Sequence, residues 1–185
     1  MYFMIQYRCI KFILLRGIMK AGKSKIIIIA CAVCVLIIKY LICDYFIVSG
    51  DSMKDSYFDN DVVFVSKVFD SLNRFDVVIC KSEEPGSRSI IIKRVIGLPF
   101  ETVQIIDGCV FINEKKLNDF VNVKMNNAGI ASEPLALGED QYFLLGDNRN
   151  NSEDSRSEWL GIVDLKQIEG KVIFKILEAP HGEEK

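Results

Sequence analysis

Histidine is almost absent from this chain: among 185 residues there is one, His181, in the polar tail at the C-terminus. A histidine in a terminal tail has no packed surroundings to fix its ring beside a nucleophile, so a serine–histidine–aspartate triad is excluded. The same scarcity removes the usual zinc ligand sets, and no HExxH is present, so no metal is expected. Acidic residues are missing from the start of the chain. None precedes Asp44, whereas six basic residues (Arg8, Lys11, Arg16, Lys20, Lys23 and Lys25) precede Ile26. From Asp44 onward 16 Lys and Arg face all 25 Asp and Glu, a net charge of about −9. Such a surface repels phosphate backbones, and nucleic acid is excluded as a partner. The six cysteines form no disulfide framework either, because Cys9, Cys31, Cys34 and Cys43 lie in or near the apolar N-terminal part and leave only Cys80 and Cys109 beyond it.

What is abundant there is uninterrupted apolar sequence. Ile26–Ile38 has no polar break, and after Lys39 the run resumes as Tyr40-Leu41-Ile42-Cys43. As one helix, Ile26–Cys43 measures about 27 Å at ~1.5 Å per residue, close to a bilayer core of about 30 Å. Lys39 lies near its end, where a long stem carries the ammonium to the interface. A buried core helix and a cleaved signal are the other readings, but no polar face breaks the run, it exceeds the usual apolar length of a signal, and no small-x-small site follows it cleanly. The expectation is therefore a basic cytoplasmic segment (1–25), a transmembrane helix (26–43) and an acidic extracytoplasmic domain (44–185) in a single-pass cell-membrane protein.

The outer part is β-rich. Short runs of branched residues recur at Val62–Val65, Val77–Cys80, Ser89–Ile96, Thr102–Ile106, Cys109–Ile112, Tyr142–Leu145 and Lys171–Ile176. Asp107-Gly108 between two of them predicts a type I′ hairpin, which requires positive φ at both central positions. Asn118–Asp140 has little periodicity and is expected to be a loop or irregular lobe. Many short strands without alternating helices point to an antiparallel, mostly β domain.

Three segments concentrate reactive groups. In Ser49-Gly50-Asp51-Ser52-Met53, Gly50 permits close backbone approach, and Met53 is suited to bury against the sheet and fix the direction of Ser52. In Ile90–Pro99, strand alternation places Lys93 on the same side as Ile91 and Val95, with Arg94 opposite. A lysine among aliphatic groups loses hydration of its charged form, and the neutral amine is then available as a base for a serine nucleophile. In Gly146–Arg156 (GDNRNNSEDSR), Asp147, Asp154 and Arg156 can form a buried ion-pair network, with Ser152 able to hydrogen-bond near a lysine amine. Taken singly, each segment also reads as a surface feature: a loop serine, an edge-strand lysine in solvent, a solvated turn.

Together and in this order, after one apolar helix, SGDSM, IIKRVIGLP and GDNRNNSEDSR resemble the nucleophile, lysine and C-terminal boxes of type I signal peptidases, the bacterial leader peptidases. The resemblance runs from about Lys25 to Ile176. It implies a mostly β, antiparallel-sheet catalytic domain resting on the outer membrane surface. Ser52 would attack the scissile carbonyl and Lys93 would take its proton. Ser152 would hydrogen-bond the lysine amine, and Asp147, Asp154 and Arg156 would hold the scaffold. Gly50 stands where some members carry a serine that adds a hydroxyl to the oxyanion hole. Substrates would be signal-peptide-bearing preproteins, with the lipid bilayer and the protein-translocation channel as partners and no cofactor. The chain departs from the family pattern at turns: Lys54-Asp55-Ser56 replaces x-Pro-Thr, Asn60-Asp61 replaces Gly-Asp, and Phe75 and Phe100 stand where glycines are expected. Two other classes share part of the pattern. One is the self-cleaving repressor-type serine–lysine proteases, which lack an anchor and the GDNR box, and the other is a membrane-tethered binding protein with a decayed protease fold.

Overall fold

A computed structural model describes residues 23–82 and 89–178, without the side chains of 23, 24, 38–41 and 89. The basic segment before Lys23 and the tail holding His181 lie outside the described residues. Two units are distinct, residues 1–41 and residues 42–185. The first contributes most of helix α1, Lys23–Ile42, 20 residues long. The chain leaves this helix directly into strand β1 at Cys43, the residue that the apolar pattern takes as the helix end. Within the described residues, no helix is long and apolar enough to cross a membrane.

The second unit is built from antiparallel strands. Its larger sheet has seven, in the order β1-β2-β11-β3-β4-β9-β10. They are β1 (Cys43–Ile47), β2 (Val62–Ser66), β3 (Val77–Ser82), β4 (Ser89–Gly97), β9 (Gln141–Leu145), β10 (Val163–Asp164) and β11 (Ile168–Leu177). A smaller sheet, β7-β6-β5-β8, holds β5 (Thr102–Ile106), β6 (Cys109–Ile112), β7 (Lys115–Lys116) and β8 (Leu135–Ala136). Every branched run noted in the sequence lies in a strand. The short strands β7, β8 and β10 carry too few residues to show a period-two pattern, and Asn118–Asp140 holds only a 3-10 turn (Gly129–Ser132) and β8.

Alternation sorts the side chains. Val63 and Val65 of β2 are fully buried, as is Val78 of β3. Strand β4 is buried on both sides, so its residues feed different clusters. Ile92 packs with Met53, Val63 and Val65, Val95 packs with Val78, Cys80 and Leu144, and Ile96 packs under the small sheet with Val103 and Phe143. β4 is thus the shared wall of three apolar clusters, and it is also the strand that carries Lys93. The β5–β6 hairpin turns at Asp107 (φ 50°) and Gly108 (φ 75°), the signs a type I′ turn requires.

The turn departures have a structural counterpart. Asn60, Phe75 and Phe100 all have positive φ, at 68°, 73° and 66°. A left-handed backbone costs a residue with a Cβ about 1–2 kcal/mol, and glycine's extra freedom when unfolded takes back about 0.5–1 kcal/mol of that advantage. Phe100 is 75% exposed and has little packing to lose. Phe100→Gly is therefore expected to stabilise the fold by about 0.5–1 kcal/mol, seen as a higher urea midpoint at unchanged slope. Phe75→Gly is expected to give no such gain, because Phe75 packs against the cluster beneath the small sheet.

Candidate active site

Ser52 lies in the turn that follows β1. Gly50 enters that turn at φ 83°, and its N–H donates to Asp59 Oδ1 at 2.8 Å. Met53 is 0% exposed, fixed between the strands as its position after Ser52 suggested. The turn is closed by Lys54 N–H donating to Asp51 O and Tyr57 N–H donating to Met53 O. The serine therefore stands on a short rigid support anchored by the methionine.

Lys93 reaches Ser52 from the middle of β4. Its Nζ lies 2.6 Å from Ser52 Oγ, in hydrogen-bond contact, and the residue is only 3% exposed. Burial, the largest influence, pushes the Lys93 pKa below the ordinary lysine value. The charges of Asp154 and Asp147 act the other way, as would the Cys80 thiolate, and Arg156 reinforces the lowering. The neighbouring Cys80 thiol is itself pushed up to about 12 by burial, so it stays protonated at neutral pH.

The segment after β9 closes over this pair. Asn148 N–H donates to Ser52 O at 3.0 Å, and Asn148 Nδ2 donates to Asp51 O at 3.0 Å. Asp147 accepts from Arg94 Nε at 2.8 Å and from Arg94 Nη2 at 2.5 Å, a two-pronged pair, while Arg94 Nη1 donates to Phe75 O. Asp154, 1% exposed, accepts from Arg156 Nε at 2.8 Å and Nη2 at 2.9 Å, and also from Gly146 N–H at 3.0 Å. Breaking one partner of a buried pair leaves an uncompensated charge, typically at a cost of about 3–5 kcal/mol, so these pairs lock the segment into one arrangement.

Ser152 differs from the expectation. Its Oγ is buried without a hydrogen-bond partner, and the bond to Lys93 implied by the family resemblance is not formed. Arg94, Asn148 and Arg149 are site residues that reading the segments one at a time does not single out. Arg94 adjoins Lys93 but acts on the alternate side of β4, and its role appears only when Asp147 is brought beside it. Arg149 is 2% exposed and donates through Nε to Gly146 O at 3.1 Å.

Two clefts meet at Ser49 and Ser52. One is mostly apolar, about 140 Å³, lined by Phe46, Val48, Ile79, Ile91 and Ile92 together with Lys93. The other is polar, about 510 Å³, lined by Asp51, Asn126, Asn127, Asn150 and Glu153 among others. Among the described residues no group of three or more His, Cys, Asp and Glu is arranged to hold a metal ion. A Cβ on Gly146 would overlap Ser152 Oγ, far inside van der Waals contact, and lie 2.5 Å from Ser52 O. Gly146→Ala is expected to displace the Ser52 support, costing about 1–3 kcal/mol of stability by overpacking together with most of the hydrolytic activity. Thermal unfolding and a cleavage assay on the same preparation measure both.

The family described as signal peptidase, peptidase S26, matches residues 20–177. Signal peptidase I of Bacillus amyloliquefaciens is 34% identical over 162 residues, covering 82% of this chain and 84% of that protein. Signal peptidase I P of Bacillus subtilis subsp. natto is 32% identical over 168 residues, covering 82% and 89%. The crystal structure of a signal peptidase I from Enterococcus faecalis V583 is 32% identical, with a TM-score of 0.47, and covers 57% of this chain and 100% of that one. With the family match running through all three boxes and relatives aligned over most of its length, this chain belongs to the signal peptidase family, peptidase S26, and is a peptide-bond hydrolase.

Proposed function

We propose that this chain is a membrane-anchored endopeptidase that removes N-terminal signal peptides from exported preproteins, with Ser52 as nucleophile and Lys93 as general base. The observation that carries this reading is the 2.6 Å contact between Lys93 Nζ and Ser52 Oγ, with the lysine 3% exposed. Neutral Lys93 takes the proton from Ser52 Oγ as that oxygen attacks the scissile carbonyl. The protonated lysine then passes the proton to the departing amine. The acyl-serine is hydrolysed by a water that Lys93 deprotonates in turn. Gly50 supplies no side-chain donor for the oxyanion, which leaves backbone N–H groups of the Ser52 turn to stabilise it.

The clefts fit an extended substrate crossing Ser52. The apolar cleft, at about 140 Å³, suits the small side chains expected at the first and third positions before the cut. The polar cleft receives the segment after it.

The anchor is part of the same proposal. The apolar run Ile26–Cys43 supports it, with α1 helical through Ile42. The outer sheet supports it too: Tyr45, Phe64 and Phe174 lie side by side in register across β1, β2 and β11. Tyr45 and Phe174 are 66% and 51% exposed, and the Phe64 and Phe174 rings stack at 4.9 Å. Exposed contiguous apolar surface of this kind suits a lipid interface. The N-terminus is then cytoplasmic and the catalytic domain extracytoplasmic. Preproteins meet the site at the membrane, beside the translocation channel.

Ser52→Ala and Lys93→Met are each expected to abolish cleavage of a preprotein in detergent or liposomes, and full activity in either variant would refute the assignment. Lys93→Met is further expected to raise stability by about 1 kcal/mol, because an apolar side chain replaces a buried ionisable one. The pH profile follows from the sign of the lysine shift. Only the neutral amine accepts a proton, so activity is lost as pH falls through the lowered pKa of folded Lys93. The acid limb of kcat is expected below the ordinary lysine value.

A further inference from the structure

The stretch 118–121 contains no helix or strand, yet two consecutive side chains from it reach two arginines of the site. Asp119 Oδ2 lies 2.5 Å from Arg149 Nη1, with the side chains 11% and 1% exposed. That oxygen makes no aligned hydrogen bond, so the link is one of charge at short range. Phe120 lies over Arg94, with Cζ 4.7 Å from the ring centroid, and meets Phe75 edge-on at 5.6 Å and 79°.

Both arginines grip one turn. Arg94 holds Asp147 by two hydrogen bonds, and Arg149 holds Gly146 O. Between them in sequence stands Asn148, whose N–H and Nδ2 fasten Ser52 O and Asp51 O. Phe120 is 54% exposed, so it adds less to the core than a buried aromatic. Its contribution is to cover one face of Arg94, whose side chain is 12% exposed. A guanidinium shielded from water attracts its carboxylate more strongly and stacks on an aromatic face. We propose that Asp119 and Phe120 form a latch that fixes the Gly146–Arg149 turn, and through Asn148 the Ser52 turn, which makes both of them positioning residues for the peptidase reaction.

This inference rests on the Ser52–Lys93 reading given above. It also accounts for Phe75, a side-chain-bearing residue at φ 73°. Its carbonyl accepts from Arg94 Nη1 at 2.8 Å and its ring abuts Phe120, so it is part of the same clasp. The latch has an electrostatic consequence as well. The charged and titratable groups acting on Lys93 are Asp154, Cys80, Asp147 and Arg156. When Arg94 holds Asp147 tightly, the aspartate charge is compensated. When Arg94 loosens, that charge favours the ammonium form of Lys93, and the base loses its proton only at higher pH.

The test uses the full chain in detergent, with rates expressed per titrated active site. Phe120→Ala and Asp119→Asn are expected to lower kcat about tenfold at unchanged KM, as a misplaced rather than missing catalytic group does. Phe120→Ala should also move the acid limb of kcat to higher pH. Phe120→Tyr, which keeps the aromatic face, should restore both the rate and the limb. Phe120→Leu, which keeps apolar bulk alone, should restore neither. An unchanged kcat and acid limb in Phe120→Ala, or rescue by leucine equal to that by tyrosine, overturns the latch. Cleavage by a Ser52→Ala control overturns the dyad reading beneath it instead, which keeps the two failures apart.

Discussion

A lysine amine enclosed among aliphatic side chains and set against a serine hydroxyl is a demanding arrangement, and most of the site's architecture answers to it. Burial removes the water that would keep Lys93 charged. The same burial strengthens every uncompensated charge nearby, so Asp147 and Asp154 must be neutralised if the amine is to stay neutral. Each has its own arginine. Arg94 takes Asp147 and Arg156 takes Asp154, both through two nitrogens. The pairs thus set the electrostatic surroundings of the Lys93 amine as well as the shape of the segment around it.

Rigidity follows from the same constraint. A contact of 2.6 Å between Lys93 and Ser52 persists only if both side chains are held by their surroundings. Lys93 is held by β4, which serves as the common wall of three apolar clusters. Ser52 is held by the buried Met53 on one side and by Asn148 on the other. Gly146 sits where these supports converge, and its missing Cβ is what lets the Ser52 carbonyl and the Ser152 hydroxyl approach so closely.

The departures from the family pattern show how such a scaffold tolerates change. Asn60, Phe75 and Phe100 keep the left-handed backbone that a glycine adopts without steric cost. Phe100 simply bears the strain in solvent. Phe75 turns its ring to use against Phe120, beside the arginine that holds Asp147.

Much of the fold was legible because strand periodicity is local. The branched runs became strands, and the signs of φ at Asp107 and Gly108 followed from the residues alone. The segments holding Ser52, Lys93, Ser152, Asp147, Asp154 and Arg156 could likewise be picked out by composition and order. The short strands β7, β8 and β10 and the contacts of 118–121 could not, since they depend on neighbours far away in the chain. The same holds for the unpartnered Ser152 hydroxyl and for the partners of Arg94 and Arg149. Residue type and spacing by themselves determined which groups are available for chemistry. Which of those groups touch was decided by the tertiary structure alone, because distance and burial between residues 52, 93 and 147 are properties of strand pairing and packing.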